Sequence, residues 1–211
     1  MQLVRETEID PGIDCVISVH RGLPRDRMGN RLSASGRWLI AQAVESVYGI
    51  GVSACDMHRD EFQRWSVPGP GLHASVAHCA GHAVVALSAD GPVGVDLQDE
   101  RDRPLAMAWL GDLLGNPAGA PATIRDFAEC EALIKASHIR KETFAGVRLP
   151  PWRPGWRLGN TGYQLLSTPV LSPVPVESGL HLALATRTPG PVRWHWDVEA
   201  ARPAALRAVA A

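Results

Sequence analysis

Short apolar stretches separated by turn-forming residues dominate the first hundred positions. The stretch CVISV at 15–19 predicts a β-strand. After Asn30 the apolar residues recur every three or four positions, which predicts an amphipathic helix. Farther along, AVVALS at 83–88 and VGVDLQ at 93–98 enclose the turn sequence ADGP. Two apolar stretches around an Asp-Gly turn predict a β-hairpin or a close relative of one.

The second half begins with two predicted helices and ends with predicted strands. The helices are predicted at 104–114 and 124–137, and Thr123 with Asp126 resembles a capping box at the start of the second one. Strand-like stretches follow at 163–167, 180–186 and 192–198.

The order of these elements predicts the fold class. Strands and helices are mixed without regular βαβ alternation, so we predict an α+β protein rather than a doubly wound parallel sheet. Two α/β halves of similar size suit this order, with residues 1–98 in the first half and residues 99–211 in the second.

The composition and net charge of the chain limit the kinds of binding partner that we expect. The chain has 211 residues, of which 45% are hydrophobic and 20% charged, with a net charge of −1, so nothing global indicates nucleic acid or an anionic membrane. Arginines crowd one early segment, where they suit either an anionic small molecule or a solvated helix face. They are Arg21, Arg25, Arg27, Arg31 and Arg37.

The cysteines and the apolar stretches indicate the cellular compartment in which we expect the protein. Four cysteines are scattered without a CxxC pair, the opening MQLVRETEID lacks the apolar centre of a signal peptide, and no apolar stretch approaches the roughly 18 residues needed to span a bilayer. We therefore expect a reduced, cytoplasmic protein without a membrane segment.

One carboxylate stands out in the strand predicted at 93–98. Side chains alternate between the two faces of a strand, so Val93, Val95 and Leu97 share one face and Asp96 lies on the other. Gly94 beside it leaves room for something to approach. Asp96 is either a water-facing residue of an edge strand or part of a site.

A second pair of charges lies on the helix predicted at 124–137. Glu131 and Lys135 are one turn apart at the margin of an apolar stripe. They form either a surface ion pair or a carboxylate for a divalent cation beside a lysine for a phosphate. Magnesium favours one or two carboxylates with phosphate oxygens and water, and Asp96 with Glu131 would supply them if the strand and the helix meet.

The series HASVAHCAGHAVVALSADGPVGVDLQ, followed some thirty residues later by FAECEALIK, resembles a known family. It is similar to the 4′-phosphopantetheinyl transferase superfamily, most of all its long, single-chain Sfp type, whose pattern reads SHS, VALA, G-V-D-x-E and W-x-x-K-E-A-x-x-K. Matching elements extend from about residue 64 to 136, in the family's order and at its spacings. No P-loop, G-x-G-x-x-G or G-x-S-x-G motif is present to indicate another class.

The resemblance implies a fold and an activity. The fold would be a pseudo-dimer of two similar α/β subdomains with the active site between them. The activity would be magnesium-dependent transfer of the 4′-phosphopantetheine group from coenzyme A to a serine of an apo acyl or peptidyl carrier protein, by a monomeric enzyme.

The resemblance also implies roles for individual residues. Asp96 and Glu131 match the magnesium ligands, with Gln98 as a further ligand through water. Glu131 also matches the residue that helps to deprotonate the carrier serine, and Lys135 matches the lysine near the pyrophosphate. These two residues are the implied catalytic pair.

Four further residues match positions that contact coenzyme A. His78 matches the histidine of the SHS motif, and Arg64 resembles the basic residue that precedes the loop before it. Arg27 and Arg31 are the implied partners of the 3′-phosphate.

The chain departs from the family pattern at several positions. Gln98 replaces the acid that usually follows the aspartate by two residues, and Cys130 replaces the lysine just before Glu131. Phe127 replaces the family's tryptophan, and AHC replaces SHS. These changes leave open a second interpretation, a relative that binds coenzyme A or a carrier protein without efficient transfer. The neighbouring histidines and Cys79 match no common zinc pattern, which disfavours a zinc site.

Overall fold

Two β-sheets, each covered by helices on its outer face, make up the part of the chain that a computed structural model describes. That part comprises residues 9–19, 30–79, 81–117, 119–171 and 179–197, with the side chains of residues 30–35, 54 and 141 excluded. The fold is therefore α+β, as predicted. No helix within these residues is long and apolar enough to cross a membrane.

The large sheet has six strands in the order β10-β1-β5-β4-β3-β2. These are β1 (Ile13–Val19), β2 (His58–Arg59), β3 (Trp65–Val67), β4 (Leu72–Cys79), β5 (His82–Ser88) and β10 (Val192–Asp197). The small sheet has four strands in the order β6-β9-β8-β7. These are β6 (Val93–Asp99), β7 (Arg157–Leu158), β8 (Gln164–Val170) and β9 (Leu180–Thr186).

Three α-helices accompany the sheets in the described chain. They are α1 (Asn30–Tyr48), α2 (Pro104–Leu114) and α3 (Ile124–Ala136), and short 3-10 turns occur at Ala54–Asp56 and Lys141–Thr143. The capping box predicted for α3 is confirmed: the Thr123 hydroxyl accepts from the Asp126 N–H at 3.1 Å, and the Asp126 carboxylate accepts from the Thr123 N–H at 2.8 Å.

The two sheets pack face to face through a shared apolar core. Val93, Val95 and Leu97 of β6 lie in this core, together with side chains from β9 and from β1 and β5 of the large sheet. A second core joins α1 to the other face of the large sheet, and a third joins α2 and α3 to the other face of the small sheet. The layers are thus helix, sheet, sheet, helix.

The hairpin predicted around ADGP is wrong. β5 pairs with β1 and β4, whereas β6 pairs with β9 in the other sheet. The segment between them, with Gly91 at φ +134°, carries the chain from one sheet to the other. A turn sequence predicts a change of direction, but burial decides which strand becomes the partner. β6 buries both its faces, one against the large sheet and one against α3.

The last described strand returns to the first half of the chain. β10 runs parallel to β1, and the Arg193 guanidinium holds the buried Asp14 carboxylate at 2.6 and 2.8 Å. The large sheet therefore combines five strands from residues 13–88 with one strand from residues 192–197. The proposed boundary between residues 98 and 99 stays a prediction.

α3 lies unusually close to β6, and Gly94 makes this approach possible. A Cβ atom built at Gly94 would lie 2.0 Å from the carbonyl oxygen of Ala132 and 2.7 Å from the nitrogen of Ala136. Ala132 and Ala136 are fully buried, so small residues on both elements form the contact. The space that Gly94 was predicted to leave is thus filled by the helix itself, and this brings the side chains of α3 within reach of β6.

Gly94→Ala should destabilise the protein by at least about 3 kcal/mol, because the new methyl group would overlap rigid backbone atoms. Urea unfolding measures this free energy. Gly69→Ala is the matched control, since a Cβ atom there would meet nothing within 4 Å. Equal stability of the two variants would show that α3 does not pack on β6 at this distance.

Candidate functional site

Asp96 is buried between β6 and α3. Its side chain lies on the face of β6 opposite to Val95 and Leu97, as strand alternation predicts, and the residue is 5% exposed. β6 is the outermost strand of the small sheet, yet Asp96 does not face water. A buried carboxylate needs charged or hydrogen-bonding partners to offset the loss of hydration, so its neighbours define the site.

The ammonium group of Lys135 is the main partner of Asp96. Its Nζ lies 2.7 Å from Asp96 Oδ1, 2.9 Å from the carbonyl oxygen of Val95 and 3.4 Å from the carbonyl oxygen of Val76. An ammonium group has three N–H donors, and these three acceptors come from two strands in different sheets. Lys135 thus connects α3 with both β6 and β4.

β4 and β6 run side by side at this junction. β3 pairs with β4 at residues 72–74, and the next part of β4 meets β6. The Ser75 hydroxyl accepts a hydrogen bond from the Val95 N–H at 3.0 Å. Both Ser75 and Val95 are buried, so this bond and the contacts of Lys135 hold the two sheets together at the site.

Gln98 connects Asp96 to an arginine. Its Nε2 donates to Asp96 Oδ2 at 2.6 Å, and its Oε1 accepts from Arg103 Nη1 at 2.9 Å. An amide has both a donor and an acceptor end, and this position requires both. A carboxylate at residue 98 would suit Arg103 but would repel Asp96, so the neutral side chain fits the arrangement of charges.

A second acid lies behind Gln98. Asp99 is bonded to Arg101 at 2.7 Å and to Arg103 at 2.9 Å. Burial acts to raise the pKa of Asp99, but the hydrogen bonds and charges of the two arginines outweigh it and hold that pKa below its usual range. Burial, with the charge of Asp99 adding to it, raises the pKa of the Cys79 thiol to about 11. Cys79 is therefore a neutral thiol at neutral pH.

Glu131 lies one turn before Lys135 on α3 and is half-buried. The preceding residue, Cys130, is 4% exposed, and burial together with the charges of nearby acids, including Glu131, raises its pKa. A neutral thiol thus replaces the charged lysine of the family pattern. Phe127, which replaces the family's tryptophan, contacts Arg103, whose guanidinium carbon lies 5.6 Å from the ring centre.

Glu129, another acid on α3, makes its contacts with residues other than those around Asp96. It is 1% exposed and forms a buried ion pair with Arg157, with the Ser167 hydroxyl also bonded to it. These partners lie on β7 and β8, away from Asp96, as the helical angle predicts. Glu129 is therefore part of the support of α3 rather than of the candidate site.

Of the four residues that the resemblance matches to coenzyme A contacts, the structure describes the side chains of Arg64 and His78. Arg64 forms an ion pair with Asp60 at 2.6 Å, and its guanidinium carbon lies 5.2 Å from the ring centre of Phe62. His78 is half-buried on β4. It lies two residues beyond Val76, whose carbonyl oxygen accepts a hydrogen bond from Lys135 Nζ. Arg27 and the side chain of Arg31 lie outside the described residues.

Two further arginines form a basic pair, of which the sequence singled out only Arg37. The guanidinium carbons of Arg37 on α1 and Arg59 on β2 lie 5.7 and 4.7 Å from the ring centre of Trp65. Burial and the charge of Arg37 lower the pKa of Arg59. Arg37 belongs to the early arginine cluster, whereas Arg59 is brought to it by the sheet, so sequence spacing could not have joined them.

The carboxylate oxygens at the site are ligands of the kind that magnesium prefers. A carboxylate has about four lone-pair positions, so Asp96 retains acceptors beside its bonds to Lys135 and Gln98. No group of three or more His, Cys, Asp or Glu side chains in the described chain could hold a metal. A magnesium ion at Asp96 could take Glu131 as its second carboxylate and would complete its coordination with phosphate oxygens and water. The amide oxygen of Gln98 faces Arg103 instead.

Comparison of the chain with models of known protein families gives no match, and comparison with curated protein sequences gives none either. The resemblance to the transferase superfamily rests on the ordered motifs of the sequence.

The ion pair between Asp96 and Lys135 should contribute a coupling energy of about 2 kcal/mol, because both groups lose water and meet in partly buried surroundings. Urea unfolding of Asp96→Asn, Lys135→Met and the double variant measures it. The same cycle on Asp60 and Arg64, whose side chains are 38% and 17% exposed, is the control and should give less than about 1 kcal/mol. Equal coupling in the two cycles would contradict the central position of Lys135.

Proposed function

We propose that the protein is a 4′-phosphopantetheinyl transferase with a pseudo-dimeric fold. It moves the 4′-phosphopantetheine group from coenzyme A to a serine of an apo acyl or peptidyl carrier protein and depends on magnesium. The observation that carries the proposal is the 2.7 Å contact between Lys135 and Asp96. This contact joins the two sequence motifs of the resemblance, which are some thirty residues apart.

The charged residues at the site suit a reaction in which negative charge develops on phosphate groups. Phosphoryl transfer depends on holding the phosphates in place and on neutralising their charge. Lys135 offers a fixed positive charge at the junction of the two sheets, where it stabilises the negative charge that develops on the leaving 3′,5′-ADP. Magnesium bound by Asp96 and Glu131 would neutralise pyrophosphate charge and polarise the attacked phosphorus.

The serine hydroxyl of the carrier needs a base, because it is a weak nucleophile when protonated. Glu131 accepts that proton while the serine oxygen forms a bond to phosphorus. The bond between that phosphorus and the bridging oxygen of the pyrophosphate breaks, and 3′,5′-ADP leaves with the electron pair. Glu131 serves here because it lies on the same margin of α3 as Lys135.

The layer order supports the pseudo-dimeric fold. α1 covers the outer face of the large sheet and α3 covers that of the small sheet, so each sheet carries a helix on its outer face. β4 of the large sheet and β6 of the small sheet meet at Ser75 and Val95. Lys135 and Asp96 lie at this meeting point, which suits a site between two similar units of sheet and helix.

Glu131→Ala should lower the rate of transfer at least about 100-fold, because the base for the serine proton and a magnesium ligand are lost together. The assay incubates the protein with coenzyme A, magnesium and an apo carrier protein and follows the mass gain of the carrier. Glu142→Ala, an exposed acid beyond α3, is the control and should keep full activity. Full activity of Glu131→Ala would overturn the assigned role.

A second function, binding of coenzyme A or a carrier protein without transfer, is favoured by one observation. Gln98 satisfies both Asp96 and Arg103 through its neutral amide, so these charges are balanced by protein groups. Binding of coenzyme A with no mass gain on any of several carriers would establish this function instead.

Gln98→Glu separates the two functions further. In a transferase the added carboxylate supplements Asp96, so the magnesium concentration for half-maximal transfer should fall by roughly tenfold. Titration of magnesium in the carrier assay measures this concentration. Gln98→Asn is the control for a neutral side chain. An unchanged magnesium requirement in Gln98→Glu would place residue 98 away from the metal.

A further inference from the structure

An open groove of about 500 Å³ lies on the outer face of the small sheet, beside the N-terminal end of α3. We call it the α3 groove. Its walls include Ile124 and Arg125 from α3, Trp152 from the loop before β7, Ser167 and Pro169 from β8, and His181 from β9. None of these residues belongs to the site proposed for transfer.

The strand register makes the α3 groove an extension of that site. Gln98 on β6 pairs with His181 on β9, and His181 pairs with Pro169 on β8. Directly paired residues point to the same face of a sheet with Cβ atoms roughly 5 Å apart. The floor of the groove therefore begins one strand away from Gln98.

The positions of residues along α3 also indicate that the groove extends from the site proposed for transfer. Ile124 precedes Glu131 by seven residues, which is about two turns, so both lie on the same side of α3. The separation along the helix axis is about 10 Å at 1.5 Å per residue. Phe127 lies between them on that side and contacts Arg103. The groove thus leads away from Glu131 along α3.

The charged groups that line the α3 groove are each close to an opposite charge. Arg125 lies 3.3 Å from Asp126 and 3.8 Å from Glu129, and His181 Nε2 lies 2.7 Å from a carboxylate oxygen of Glu100. At the start of α3, the capping box engages the N–H groups of Thr123 and Asp126. These surroundings suit an uncharged ligand rather than a phosphate.

The remaining surface of the groove is apolar and aromatic. Ile124 and Pro169 supply aliphatic surface, and Trp152 is 55% exposed with the Arg125 guanidinium 5.9 Å from its ring centre. An exposed indole with a guanidinium near its ring offers a flat surface for a chain with amide and methyl groups. The groove is thus lined by apolar and aromatic side chains together with charged groups that are already paired.

We propose that the α3 groove binds the pantetheine arm of coenzyme A, with the arm extending from the pyrophosphate near Lys135 towards Trp152. This inference rests on the proposed function. The arm is neutral, and it carries two amides and a pair of methyl groups, which match the apolar walls and the paired charges of the groove. Trp152 is then a specificity-determining residue for the arm and for any acyl group on its sulfur.

Calorimetric binding of two ligands tests the proposal, since 3′,5′-ADP contains the nucleotide phosphates of coenzyme A without the arm. Trp152→Ala should weaken coenzyme A binding about tenfold and leave 3′,5′-ADP binding unchanged. Trp109→Ala is the matched control, because Trp109 is similarly exposed, at 60%, but lies on α2. It should change neither affinity. Trp152→Phe keeps an aromatic surface and should restore most of the affinity.

The outcomes separate this proposal from the proposed function. Unchanged coenzyme A affinity in Trp152→Ala, or equal losses for both ligands, overturns the groove even if the wild type modifies carriers. A selective loss for coenzyme A in a protein that modifies no carrier supports the groove and refutes the transferase. Absence of coenzyme A binding to the wild type overturns both.

Discussion

The contacts of one ammonium group determine how the two sheets and α3 are arranged. Lys135 reaches Asp96 and two backbone carbonyls, one on β6 and one on β4. It can do so because Gly94 allows α3 to approach β6 to backbone distance. Without the cation, the carboxylate of Asp96 would be buried beside backbone carbonyl oxygens, which is unfavourable. The same contact that stabilises the junction also joins a lysine and a carboxylate, with Glu131 one helical turn before Lys135 on α3.

The neutral side chain at residue 98 follows from these charges. Lys135 balances Asp96, and Arg101 and Arg103 balance Asp99. Gln98 lies between the two groups and supplies a donor to one and an acceptor to the other. The balance explains why a neutral amide, rather than a third acid, suits residue 98.

Local patterns predicted the elements and faces of the site, whereas long-range contacts could not be predicted. Alternation along 93–98 placed Asp96 opposite Val95, and helical spacing put Glu131 and Lys135 on one margin of α3. The sequence did not show that β6 leaves the sheet of β5, because two buried strands joined by a turn have the same pattern in either arrangement. Arg103 was also missed as the partner of Gln98. Its role depends on how the segment after β6 folds back, and no local periodicity encodes that.

A crystal structure with coenzyme A and magnesium tests the central claim most directly. We expect the pyrophosphate beside Lys135, with a metal ion held by Asp96 and Glu131 at the junction of β4 and β6. Coenzyme A bound elsewhere, with the contact between Lys135 and Asp96 unchanged and no metal at the two carboxylates, would contradict it.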